Sequence, residues 1–255
     1  MEWKEGKMNP KSDADVSHRN LQKLGGAAAW IAALLVLSEV VVFVIHPQPG
    51  PIDEWFRLLQ SDPLMGWLEL WGLEIPLYAM FFLVFLALYS ALRKTDPGLM
   101  KIALAAGMLG IGIFFATNNP FSMLALSRQH AAAATDAERS MFLAAGQALL
   151  ADTGQRAVGG FNMGVFLVSV AGLIASGVMV RSGAFGKPAG YAGLLANALS
   201  LADYARAAVT SSEIAVLIVV LPNVLFLTAW LILVGRRLLR LGGGKPESPD
   251  PLRAG

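Results

Sequence analysis

Six apolar segments, each long enough to cross a lipid bilayer, constrain this chain more than any other feature. They fall at 25–45, 68–92, 99–126, 159–180, 189–209 and 214–234. A helix rises ~1.5 Å per residue, so about 20 residues span a hydrocarbon core of ~30 Å. Lipid offers no partner to backbone N–H and C=O groups, and such runs must therefore satisfy themselves as helices. Composition agrees: 55% of the 255 residues are hydrophobic and 15% charged, with a mean hydropathy of +0.56, where a soluble domain carries ~25% charge. The expected fold is all-α, a polytopic membrane bundle of six transmembrane helices over 25–240. A polar tail at 1–24 precedes it. A glycine- and proline-rich tail at 241–255 should be disordered.

The first run is longer than the core of a signal peptide, and no small-x-small cleavage site follows it, so it reads as a retained helix. The fifth run is the least apolar, interrupted by Asn197, Ser200, Asp203 and Arg206. Without it the two ends of the chain would lie on opposite sides of the membrane. Alternating loops divide Lys and Arg 15 to 5, which by the positive-inside rule predicts both termini in the cytoplasm. Trp67 and Trp71 at the outer start of the second span, and Trp30 and Trp230 toward the inner side, suit an interfacial belt.

Several function classes are excluded or disfavoured. The chain has no cysteine, hence no disulfide, thiolate metal site or cysteine nucleophile. A net charge of +2 gives no footprint for nucleic acid. Neither H-E-x-x-H, G-x-S-x-G nor a Walker sequence occurs, and no cofactor is implied. His46 and His130 near outer helix ends, with an outer acid, are the thinnest of metal-site arguments. The chain reads as a non-enzyme.

Two outer loops carry helices. In 52–60, Ile52, Trp55, Phe56 and Leu59 recur at i, i+3, i+4, i+7, while Asp53, Glu54, Arg57 and Gln60 take the other face. That helix either lies on the membrane or packs on its own bundle. Thr135-Asp136-Ala137-Glu138 forms a capping box, predicting a helix of ~15 residues that ends near Asp152 or Gly154. Gly160-x-x-x-Gly164 and Ala103-x-x-x-Gly107 predict close helix crossings within the bundle.

Polar residues inside the spans locate a candidate site. An ionisable group in hydrocarbon costs several kcal/mol, ~2.5–3.5 on insertion scales, so such groups usually face a packed network or a wet cavity. Glu39 lies ~9 Å below the outer end of the first span. Glu69 stands near the outer surface and Glu74 one to two turns deeper. Asn118 and Asn119 lie in the outer half of the third span, Asn162 opens the fourth, and Asp203 and Arg206 close the fifth. Glu213 precedes the sixth, and Asn223 is near its middle. The inner half is almost purely apolar. Pro76, Pro120 and Pro222 each remove a helical donor, and Glu74-x-Pro76, Asn118-Asn119-Pro120 and Pro222-Asn223 pair that irregularity with a polar side chain, as at transporter sites. Asp203 and Arg206 share a helix face and can pair.

Asn118-Asn119-Pro120-Phe121-Ser122-Met123-Leu124, Thr135-Asp136-Ala137-Glu138-Arg139, the stretch from Leu143 to Leu150, and Phe185-Gly186-Lys187-Pro188-Ala189-Gly190-Tyr191-Ala192-Gly193 resemble a group of uncharacterised prokaryotic membrane proteins. That group is defined as a domain of unknown function with about six helices. The resemblance spans roughly 25–240. It implies one bundle in a bacterial or archaeal cell membrane and carries no assigned activity. The residues themselves predict an outward-facing pocket for a small polar or cationic solute, lined by Glu39, Glu74, Asn118, Asn119 and Asp203 with Arg206 as counter-charge. The alternatives are a structural or accessory membrane protein with a dry polar network, and a membrane-embedded hydrolase using His46 or His130.

Overall fold

The computed structural model describes residues 10–46, 48–153, 161–209 and 213–244. Among these every regular element is helical. The long helices are α1 (Pro10–Ile45), α4 (Glu74–Leu92), α5 (Pro97–Thr117), α8 (Met163–Arg181), α9 (Lys187–Val209) and α10 (Glu213–Gly243). Four shorter ones connect them: α2 (Ile52–Ser61), α3 (Pro63–Trp67), α6 (Pro120–Ala132) and α7 (Asp136–Asp152). A single π-helical turn, Leu68–Gly72, joins α3 to α4.

The six long helices form a ring in chain order. Each packs on its neighbour in sequence, α1 closes on α10, and α4 also touches α8 and α10 across the ring. Five stretches are long and apolar enough to cross a membrane: Val16–Ile45, Pro63–Leu92, Pro97–Ala132, Met163–Arg181 and Leu217–Gly243. The chain is thus an all-helical membrane protein with five such spans. Helix α9 falls short in apolarity, yet it fills the ring position between α8 and α10.

The described ends of the chain share one face, since Gly242 lies against Arg19 and Lys23. On this near face His18 contacts Ser90 and Arg93, joining α1 to the end of α4. Arg237 donates to the Ala184 carbonyl, tying α10 to the α8–α9 turn. Helix α1 begins at Pro10, so part of the polar tail is helical. Helix α10 runs on to Gly243, and the rest of the expected disordered tail, 245–255, lies outside the described residues.

The far face carries a cap made of α2, α3, α6 and α7. Ile52, Trp55, Phe56 and Leu59 of α2 are all buried, packed with Leu70, Trp71, Met123 and Leu150. Of the two placements open to this amphipathic helix, the one against its own bundle is found. Burial of each such side chain contributes ~1.5–3 kcal/mol, which decides the matter over a partial dip into headgroups. Helix α7 starts on a closed capping box, Thr135 Oγ1 accepting from the Glu138 amide at 3.2 Å and Glu138 accepting from the Thr135 amide at 3.2 Å.

Two expectations need correction. Trp230 is 1% exposed and packs on Gly193 of α9, and Trp71 is likewise 1% exposed, so both serve the interior rather than an interfacial belt. Trp67 and Trp30 keep partial exposure. The third span also breaks, ending α5 at Thr117 and beginning α6 at Pro120.

Small residues set the tightest crossing. A Cβ on Gly164 would stand 2.6 Å from the Gly110 carbonyl oxygen, and one on Gly110 would stand 2.7 Å from that of Gly164. Helices α5 and α8 therefore cross backbone to backbone. Gly160, the other glycine of the expected motif, lies outside the described residues, and Gly107 meets the Phe85 ring instead. Gly164→Val should lower stability in detergent by ~1–3 kcal/mol through overpacking. Gly112→Ala, whose new methyl would meet nothing within 4 Å, should leave the thermal midpoint unchanged.

Candidate functional site

The Asn118-Asn119-Pro120 break is built by local chemistry. A residue before proline is pushed out of the helical region, and Asn119 is extended at φ −103°, ψ 102°. Pro120 occupies the first turn of α6, where a missing N–H costs nothing. It therefore starts a helix rather than freeing a carbonyl inside one. The Asn119 side chain accepts from the Phe121 amide at 3.0 Å and caps α6. Asn119 is exposed, while its neighbour Asn118 is 3% exposed.

Asn118 faces inward into a network of side chains from several elements. Asn162, the N-cap of α8, accepts from the Val165 amide at 3.2 Å. Its Nδ2 donates to Asn118 Oδ1 at 2.8 Å and to the Thr153 carbonyl at 3.2 Å. Thr117 Oγ1 lies 2.9 Å from the Asn118 amide. With that amide swapped end for end, its oxygen accepts from the Trp71 indole at 3.0 Å and its nitrogen donates to Phe114 O at 3.2 Å. As first placed the amide bonds α5 and Asn162 of α8; swapped, it bonds α5 and Trp71 of the π turn, and its nitrogen faces the Asn162 nitrogen.

A second polar group adjoins the first through Tyr204 on α9, whose hydroxyl donates to the Asn162 carbonyl at 3.1 Å. The Tyr204 ring packs on Phe161 at 4.6 Å. Tyr78 on α4 stacks on Phe114 at 3.7 Å with the rings nearly parallel. On either side of Tyr204 in the sequence, Arg206 Nε donates to Asp203 Oδ1 at 2.7 Å, with these side chains only 9% and 16% exposed.

Of the six expected site residues, Asn118 belongs to the buried network, and Asp203 and Arg206 pair beside Tyr204. Asn119 stands apart as a cap. Trp71, Tyr78, Thr117 and Tyr204 join the site without having been expected. Tyr78 follows Glu74 by four residues, a same-face spacing, and Tyr204 adjoins Asp203. Asn162 was placed at the right level but not in the site.

Other intramembrane polar residues mostly tie backbone. Asn197 donates to Gly193 O at 2.7 Å and Asn223 to Ala196 O at 2.6 Å. Glu69 is 3% exposed in the π turn, its own carbonyl accepting from Gln48 at 2.9 Å. His130 packs on the Phe56 ring at 5.3 Å. Among the described residues no three His, Asp or Glu side chains group as metal ligands. The side chain of Glu213 lies outside the described residues. No family model, no curated protein and no solved structure matches the chain.

If Asn119 acts as a helix cap, Asn119→Ser should hold the thermal midpoint of the parent, whereas Asn119→Ala should lose ~1 kcal/mol. Equal loss in both would assign the amide a different role.

Proposed function

We propose that this chain is a prokaryotic cell-membrane protein with six membrane helices, α9 completing the five apolar spans, and with both ends cytoplasmic. It belongs, on this reading, with the uncharacterised six-helix group it resembles, and it is not an enzyme. Its role is to bind or pass a small polar or cationic solute from the outer side. The lining of the site is Glu39, Glu74, Asn118 and Asp203, with Arg206 as the counter-charge. The observation that supports this is the Asp203–Arg206 pair at 2.7 Å, held almost out of solvent on α9 beside Tyr204, whose hydroxyl reaches the Asn162 carbonyl. Three acids to one base among the lining residues favour a cation over an anion, and intramembrane acids face wet cavities or packed networks. The Asn118–Asn162 network forms the rigid wall beside it.

A second reading is a structural or accessory role with a dry polar layer. It draws support from the near-complete burial of Asn118 and Asn162, 3% and 2% exposed.

Single cysteines separate the two, because the chain has none of its own. A membrane-impermeant maleimide applied to intact cells should modify Glu74→Cys and Asp203→Cys, and a small permeant thiol reagent should block it. Ser61→Cys, exposed on the far face, serves as the reacting control. Labelling at 61 alone would transfer support to the dry structural role.

A further inference from the structure

On the far face a cleft of about 410 Å³ opens between the α2–α3 corner and α6. Leu59 and Pro63 form one wall, and Leu124, Ala131 and Arg128 the other. The floor is fixed rather than collapsible: Gln60 Nε2 donates to the Ser127 carbonyl at 3.0 Å, and Ser127 Oγ donates to the Phe56 carbonyl at 3.1 Å, stapling α2 to α6.

The cleft is graded along α6. Leu124, Arg128 and Ala131 line it at helical spacing, and Phe121, just beyond the cleft, continues the same side of the helix. Phe121, beside the helix break, is 73% exposed, and Leu64 next to Pro63 is 68% exposed. Two turns along, ~10 Å at 1.5 Å per residue, stands Arg128. The neighbouring cap cations are engaged within their own helices, Arg57 with Asp53 at 2.8 Å and Arg139 with Asp136 at 3.2 Å. Arg128 has no acidic partner among the described residues. An apolar track thus leads to an uncommitted guanidinium, whose planar fork matches a phosphodiester.

We infer that this cleft binds one anionic phospholipid, with an acyl chain along Phe121 and Leu124 and the headgroup phosphate at Arg128. The polarity of the cleft matches that of the lipid end to end. Net negative charge on the headgroup is favoured over a zwitterion, because no acid lies in the lining to receive a headgroup ammonium. Occupancy would brace the α2–α6 joint and, through it, the cap over the Asn118 network. The inference stands on the cap alone and does not require a solute site below it.

Native mass spectrometry of the full chain in detergent tests this with phosphatidylglycerol and phosphatidylcholine of identical chains. The parent should retain phosphatidylglycerol preferentially. Arg128→Gln should reduce that preference about three- to fivefold, the range of an exposed ion pair. Leu124→Trp, which fills the track, should reduce retention of both lipids. Arg236→Gln, an exposed cation on the near face, should change neither and controls for nonspecific charge. An unchanged lipid preference in Arg128→Gln would overturn the proposal, as would a loss equal to that of Arg236→Gln. Because Arg128 is exposed, its replacement leaves folding intact and the test readable even if the tryptophan variant does not fold.

Discussion

The contact between Asn118 and Asn162, 2.8 Å apart and almost wholly buried, is the interaction on which the far half of this protein depends. Each asparagine sits where a helix ends or begins, so each has backbone groups to satisfy as well as a side chain to place. Asn162 satisfies the start of α8 while reaching Asn118, and Asn118 closes α5 while accepting from Asn162. The Gly110–Gly164 crossing just below makes the contact feasible, since only bare backbones let α5 and α8 come close enough. A buried amide without partners costs ~1–3 kcal/mol, so the network and the crossing hold each other in place.

From this contact the rest of the far half follows. The break at Asn119-Pro120 releases α6 from the line of α5, and α6 becomes the platform on which α2 and α7 pack. Trp71, donated by the π turn, ties the cap to the network. A π-helical turn places one extra residue in the loop of the hydrogen bond and often marks functional positions. Here it aims Trp71 at Asn118 and carries the buried Glu69. Tyr204 connects the network to α9, and with it to the Asp203–Arg206 pair. A rigid wall of neutral amides thus stands beside a set of ionisable groups. That division suits a site in which one side fixes geometry and the other responds to charge.

Much of this was legible in the sequence because the signals were local. The apolar runs fixed the membrane class, the i, i+3, i+4, i+7 pattern found α2, and Thr135 with Glu138 found the start of α7. Asp203 and Arg206 paired as their spacing of three requires. What escaped was set by tertiary contact. Pro120 could disturb a helix or open one, and only Asn119 acting as a cap decides for the second. Trp71 and Trp230 carry the same indole as interfacial tryptophans, and their burial depends on Asn118 and Gly193 from other segments. Tyr78 and Tyr204 looked like ordinary apolar-helix residues until α4 and α9 were brought to one level. The uncharacterised group that the chain resembles carries no assigned activity, so the case for function rests on the side chains themselves.

A double-mutant cycle at Asn118 and Asn162 tests the central interaction most directly. Stability of the parent, Asn118→Ala, Asn162→Ala and the double variant would be compared by reversible unfolding in mixed micelles. If the two amides form the pin described, the losses will be non-additive, with a coupling of ~1 kcal/mol or more in magnitude, because the first substitution already strands its partner. Losses that add within ~0.3–0.5 kcal/mol would mean that each asparagine serves only its own helix end, and the far half would then owe its arrangement to apolar packing alone.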